Sequence, residues 1–238
     1  MLALEKDSIL YRLIFQANAF FSTFTPTTEA CNELENLMRK ATCKDLFITL
    51  NRVQKRPPIS YSSIVETQNF SMGIFYLKEG YQIPLHDHPG MTVFSKVMHG
   101  RVHVRSFTWK EKDVSNKPST FITTEKDGML LREAVVIGDY VINSSDENCL
   151  LKISPFSANL HAITAISDCC FLDILGPPYK VGERDCHYYE EIELVSGGQP
   201  DDKTSVYLAE LEENGYYCAC VPYSGPKIGI TDDIRLFS

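Results

Sequence analysis

Residues 80–100 read Gly-Tyr-Gln-Ile-Pro-Leu-His-Asp-His-Pro-Gly-Met-Thr-Val-Phe-Ser-Lys-Val-Met-His-Gly, and this stretch decides the fold. Side chains two apart on a strand share a face, so His86 and His88 can present both imidazoles to one metal ion. Pro84 and Pro89 bracket the pair. Their restricted backbone suits a strand end or the mouth of a barrel.

The surrounding sequence has an all-β rhythm. From Pro57-Pro58 onward, short runs rich in Val, Ile, Phe and Tyr alternate with turn residues at close intervals. The pattern predicts strands at 62–66, 70–77, 92–98, 102–107, 134–137, 149–153, 160–166, 170–175, 187–194 and 206–211. Ten short strands without intervening helices point to a sandwich or jelly-roll barrel. Two helices are expected before them. Ile9, Leu10, Leu13, Ile14, Ala17, Phe20, Phe21 and Phe24 recur at helical spacing between Asp7, a candidate cap, and Pro26. Leu34, Leu37, Met38 and Ala41 mark one side of a second helix over 29–41, and both helices should pack outside the sheet. The expected division is a helical segment at 1–55 and a β domain at 56–238, with surface loops at 110–128 and 196–204.

The two histidines stand in a Gly-x5-His-x-His-x11-Gly frame from Gly80 to Gly100, which resembles the first cupin motif. That resemblance implies a mainly β fold, a cupin-type double-stranded β-helix. Cupins usually add a Glu about four residues beyond the second His; here the region is Met91-Thr92-Val93. A three-histidine site is therefore expected, its third ligand coming from a later strand. His161, which follows Pro155-Phe156 and opens a strand, is the candidate. His99 and His103 flank Gly100 and read as surface or turn residues, whereas His187 beside Cys186 is better placed to line the mouth. Three neutral imidazoles leave about three positions open on an octahedral ion. Such a set accommodates Fe(II), Ni(II), Cu(II) or Zn(II), and it differs from closed structural zinc sites with four protein ligands.

Further blocks resemble the cysteamine (2-aminoethanethiol) dioxygenases of animals and the related plant cysteine oxidases. They are Ile83-Pro-Leu-His-Asp-His-Pro-Gly-Met91, Lys96-Val97, Asn159-Leu-His161, Phe171-Leu-Asp-Ile-Leu175, Pro177-Pro-Tyr179, Arg184-Asp-Cys-His-Tyr-Tyr189 and Pro222-Tyr-Ser-Gly-Pro-Lys227. The resemblance implies Fe(2+) on His86, His88 and His161, and insertion of both atoms of O2 into a thiol to give a sulfinic acid. The implied substrates are free cysteamine, proteins that begin with cysteine, or both. Asp173 matches the family's acid beyond the third ligand. Because Phe171, Leu172, Ile174 and Leu175 surround it, it needs a partner, and the outer N–H of a ligand imidazole is the expected one. Tyr179 matches a loop tyrosine whose phenol would donate to bound oxygen or thiolate. Cys186 and Tyr188, two apart, can face one cavity, and thiol dioxygenases sometimes join such a pair by a thioether.

Composition narrows the partners. Of the 238 residues 44% are hydrophobic and 23% charged, enough for a sizeable core, and the net charge is −8. An acidic chain without a basic face excludes nucleic acid as the expected partner. The first residues lack a cationic lead, and no apolar run is long enough for a bilayer, so no membrane partner is expected. The eight cysteines are irregularly spaced and read as reduced thiols of a cytoplasmic or nuclear monomer. Cys169 and Cys170 read as packing residues, and Cys218-x-Cys220 lacks a second pair for zinc. Two other functions compete. A free-cysteine dioxygenase would need a cation for the substrate carboxylate, for which Arg101 or Arg105 is available. A non-catalytic cupin would be expected to have lost a ligand.

Overall fold

The computed structural model describes residues 5–23, 25–50, 56–110, 122–123, 130–192, 205–212 and 215–228. Helix α1 (Ile9–Phe21) and helix α2 (Thr28–Lys40) form where the apolar residues recur every three or four positions. Ser8, not Asp7, caps α1: its side chain accepts from the Tyr11 N–H at 3.2 Å. Ser8 directly precedes the first turn, the position from which a short side-chain oxygen reaches that amide. The helix ends at Phe21, short of Phe24, which lies outside the described residues. Thr27 caps α2 by accepting from the Ala30 N–H.

Strands begin directly after the proline pair. In chain order they are β1 (Ile59–Glu66), β2 (Ser71–Leu77), β3 (Gln82–Asp87), β4 (Thr92–His99) and β5 (Arg101–Trp109). Then come β6 (Ile122–Thr123), β7 (Leu130–Asn143), β8 (Leu150–Ile153), β9 (Leu160–Ala165) and β10 (Cys169–Gly176). The last are β11 (Tyr188–Ile192), β12 (Ser205–Leu211) and β13 (Ala219–Cys220). One sheet has the order β13-β1-β2-β10-β4-β8 and the other β12-β11-β3-β9-β5-β7-β6; β12 also pairs with β7, which closes six strands into a ring. This is the cupin-type double-stranded β-helix, with both helices packed outside it.

Strand β10 shows how alternation divides the core. Cys170, Leu172 and Ile174 face α1 and α2 together with Met72, Ile74 and Phe94. Phe171, Asp173 and Leu175 face the space between the sheets. The helices therefore seal one face of the first sheet and leave its other face for a cavity. The join is fastened by Lys96 of β4, whose buried Nζ donates to Arg39 O at 2.8 Å and Ala41 O at 2.7 Å. These carbonyls end α2 and have no intrahelical donors.

Three strands were not expected from the pattern, namely β3, β6 and β13, and β7 is far longer than 134–137. Strand β3 contains Pro84, and its register with β9 slips between Ile83 and His86, so its alternation is broken by a bulge. Along β7 only Leu131, Ala134, Gly138 and Ile142 lie on the buried side, and pairing with β5, β6 and β12 holds the rest. The expected loops lie outside the described residues, apart from Lys110 and β6. Among the described residues no helix is long and apolar enough to cross a membrane.

Candidate metal centre

His86 sits on β3, His88 just beyond it, and His161 on β9 directly opposite His86 in the strand register. The ring centroids are 4.9 Å (His86–His88), 4.6 Å (His86–His161) and 5.0 Å (His88–His161) apart. One nitrogen from each lies within 4.8 Å of the others, and all three residues are buried. Among the described residues no other group of His, Cys, Asp or Glu gathers this way.

Hydrogen bonds orient two of these rings. His86 Nδ1 lies 2.8 Å from Pro84 O, to which it donates, leaving Nε2 as the lone pair. Tyr179 Oη donates to Asp87 O at 2.8 Å and lies 2.9 Å from His88 Nδ1, so it accepts the proton of that nitrogen. Its single proton is thus committed to the backbone and its oxygen to a candidate ligand, rather than to bound oxygen or thiolate. His88 Nε2 and His161 Nδ1 are buried with no hydrogen-bond partner among the described residues. Burial lowers the pKa of all three imidazoles, and their mutual proximity lowers those of His88 and His161 further. Neutral rings with orphaned buried nitrogens fit a metal ion, because ligating histidine must be unprotonated.

Two residues that the sequence reading missed hold this frame. Asn159 Nδ2 donates to His88 O at 2.7 Å, and its Oδ1 accepts from His88 N at 3.3 Å. Asp87 faces away from the imidazoles and accepts from His187 N at 2.8 Å and Tyr189 Oη at 3.1 Å, with His187 Nδ1 at 3.1 Å. His187 is therefore paired with Asp87 instead of lining the mouth. Alternation then turns Cys186 and Tyr188 toward the histidines. The signal for Asp87 was present in its position between the two histidines.

The resulting cavity, about 310 Å³, is lined by the triad, Tyr179, Cys186, Tyr188 and Asp173. Tyr61, Tyr216, Cys218 and Cys220 also line it, and none of them was expected there. Burial pushes the Cys186 thiol up, while contacts with Tyr179 and Tyr188 pull it down. Asp173 does not bond a ligand imidazole. It lies on the first sheet, between Gly73 of β2 and Ser95 of β4, and so meets the triad across the cavity. Its Oδ1 is buried without a partner among the described residues. Burial raises its pKa to about 7 against the pull of a Ser95 hydrogen bond. Strand β10 is interior to its sheet, and Asp173 faces the cavity from it.

The remaining candidates lie elsewhere. His99 is exposed, and His103 bonds Asp139 at 2.6 Å on the outer face. Arg105 bonds the same Asp139 and also Glu191, at 2.9 Å, on that face, and Arg101 is exposed. Among the described residues no Lys or Arg lines the cavity.

Strand order and triad together define a three-histidine cupin. The chain belongs to the PCO_ADO family, which it matches over residues 28–228. It is 33% identical to the 2-aminoethanethiol dioxygenase of Homo sapiens over 222 residues, 84% of this chain and 82% of that protein. The Mus musculus protein of the same name is 35% identical over 217 residues, 82% of this chain and 83% of that protein. Plant cysteine oxidase 1 of Arabidopsis thaliana is 37% identical over 161 residues, 67% of this chain and 50% of that protein.

Proposed function

We propose that this chain is an iron-dependent thiol dioxygenase that adds both atoms of O2 to an aminothiol, either free cysteamine or the N-terminal cysteine of a peptide, to give a sulfinic acid. The observation that carries this reading is a buried triad of neutral imidazoles facing a cavity whose lining, among the described residues, contains no cationic side chain. Cysteamine and an N-terminal cysteine share an amine and a thiol and bring no free carboxylate next to the thiol carbon chain. Free cysteine brings one, and with Arg105 engaged on the outer face nothing among the described lining residues pairs with it. An unpaired carboxylate in a partly dry cavity is disfavoured. The names of the relatives, 2-aminoethanethiol dioxygenase and plant cysteine oxidase, support the same substrate class.

His86, His88 and His161 would hold the ion. Bound there, ferrous iron supplies the open positions and the electrons that bring thiol and O2 together. Pro84 O and Tyr179 keep the outer nitrogens of His86 and His88 protonated, so that their other nitrogens stay available. Asp173, with its pKa near neutrality, takes the proton that the substrate thiol gives up. Cys186 and Tyr188 form the wall past which a peptide extends. We assign the protein to the cytoplasm or nucleus, as a monomer whose cysteines form no disulfides.

The test gives anaerobically iron-loaded protein, on admission of air, equal amounts of cysteamine, a Cys-initiating peptide and free cysteine, with products read by mass. Cysteamine and the peptide should gain two oxygen atoms, with free cysteine slower by roughly tenfold, the scale of one unpaired buried group. Free cysteine as the best substrate, with the peptide inert, would overturn the assignment.

A further inference from the structure

On the side of the first sheet that faces the helices, α2 and β8 bring together a thiol, an amine and a carboxylate. Lys152 of β8 places Nζ 2.7 Å from Cys31 Sγ and 3.2 Å from Glu35 Oε1. Cys31 Sγ is itself 3.3 Å from the same carboxylate oxygen. Cys31 and Glu35 are one turn apart on α2, and β8 is the edge strand of the first sheet. Cys31 is buried, whereas the Lys152 side chain is half-exposed.

The separation between nitrogen and sulfur is the informative feature. An N–H···O bond is usually about 2.9 Å long, and sulfur is larger than oxygen, so a neutral N–H···S contact should be longer still. At 2.7 Å the two atoms are closer than such a contact allows and about as far apart as one bridging oxygen spans. We propose that Cys31 and Lys152 form a covalent sulfur–oxygen–nitrogen bridge, with dioxygen as the oxidant.

Glu35 first takes a proton from the Lys152 ammonium and passes it to solvent. The step is then RSH + R′NH2 + O2 → RS–O–NHR′ + H2O. The S–H bond, one N–H bond and the O–O bond break; S–O and N–O bonds form. Sulfur and nitrogen each give two electrons, and O2 takes all four. One oxygen atom stays in the bridge, and the other leaves as water with the two hydrogens. Oxidised sulfur bonded to oxygen is reducible by thiols, so the link is reversible. It would tie α2 to the edge of the barrel, and it does not depend on the metal centre.

The test compares full-length protein kept anaerobic with protein exposed to air, alkylated and digested without reductant. Air should produce a peptide joined through Cys31 and Lys152, heavier than its two parts by one oxygen and lighter by two hydrogens. It should resist trypsin at Lys152, carry one heavy atom when formed under 18O2, and disappear with dithiothreitol. Cys31→Ser and Lys152→Arg should each reduce it to background; the arginine variant keeps the cation beside Glu35 and guards against misfolding. The proposal is overturned if air-exposed protein keeps Cys31 alkylatable and Lys152 cleavable. It is equally overturned if Cys31 stops at a sulfenic or sulfinic acid, or if the link lacks the oxygen.

Discussion

Asp87 stands between two candidate ligands yet works on the opposite face, where it fastens His187 and Tyr189. Replacing it with Ala should release the segment that presents Cys186 and Tyr188. The expected outcome is a fall in kcat/KM of roughly 10- to 100-fold, the scale seen when a supporting partner of a metal site is lost. Asp173 gives a separate test through pH. Its folded-state pKa of about 7 lies above the ordinary 3.8, so the folded protein holds this proton more tightly than the unfolded chain does. Its carboxyl group therefore costs no stability below about pH 4, costs increasingly more up to about pH 7, and a constant amount above that. Asp173→Asn in metal-free protein should raise Tm at pH 8 and leave it nearly unchanged at pH 4. An equal shift at both pH values would show that the carboxyl does not titrate in this window.

Helix α2 is held by Lys96 as well as by its apolar face. Lys96→Met keeps the stem but leaves the carbonyls of Arg39 and Ala41 without a donor. A loss of about 1–3 kcal/mol in denaturant unfolding is expected, the cost of unsatisfied buried polar groups. The sequence was legible where structure is local. Helical periodicity located both helices, and the two-residue period put His86 and His88 on one face. It was less legible where pairing decides the outcome. Pro84 and a bulge concealed β3, and β7 shows too few buried residues for its length. The partner of Asp173 was misjudged because alternation gives a side chain's face but not which sheet lies across from it. Tyr179 lines the cavity, and its bond to Asp87 O requires a loop packed against β3, which no local pattern encodes.

Across the whole molecule, the helices close one face of the first sheet, and the other face meets the second sheet around the triad. The folded arrangement gathers His86, His88 and His161 from distant parts of the chain, and the unfolded chain does not, so a bound metal stabilises the fold by linkage. Loading with ferrous iron under anaerobic conditions should raise Tm, and removal by a chelator should reverse the rise. His161→Ala should show neither change. The most direct measurement is the iron retained per chain after anaerobic loading and desalting, in the wild type and in His161→Ala, with thiol oxidation followed on the same samples. The expected result is one ferrous ion per wild-type chain with sulfinic acid product, and loss of both in the variant; full iron and undiminished product in His161→Ala would contradict the three-histidine centre.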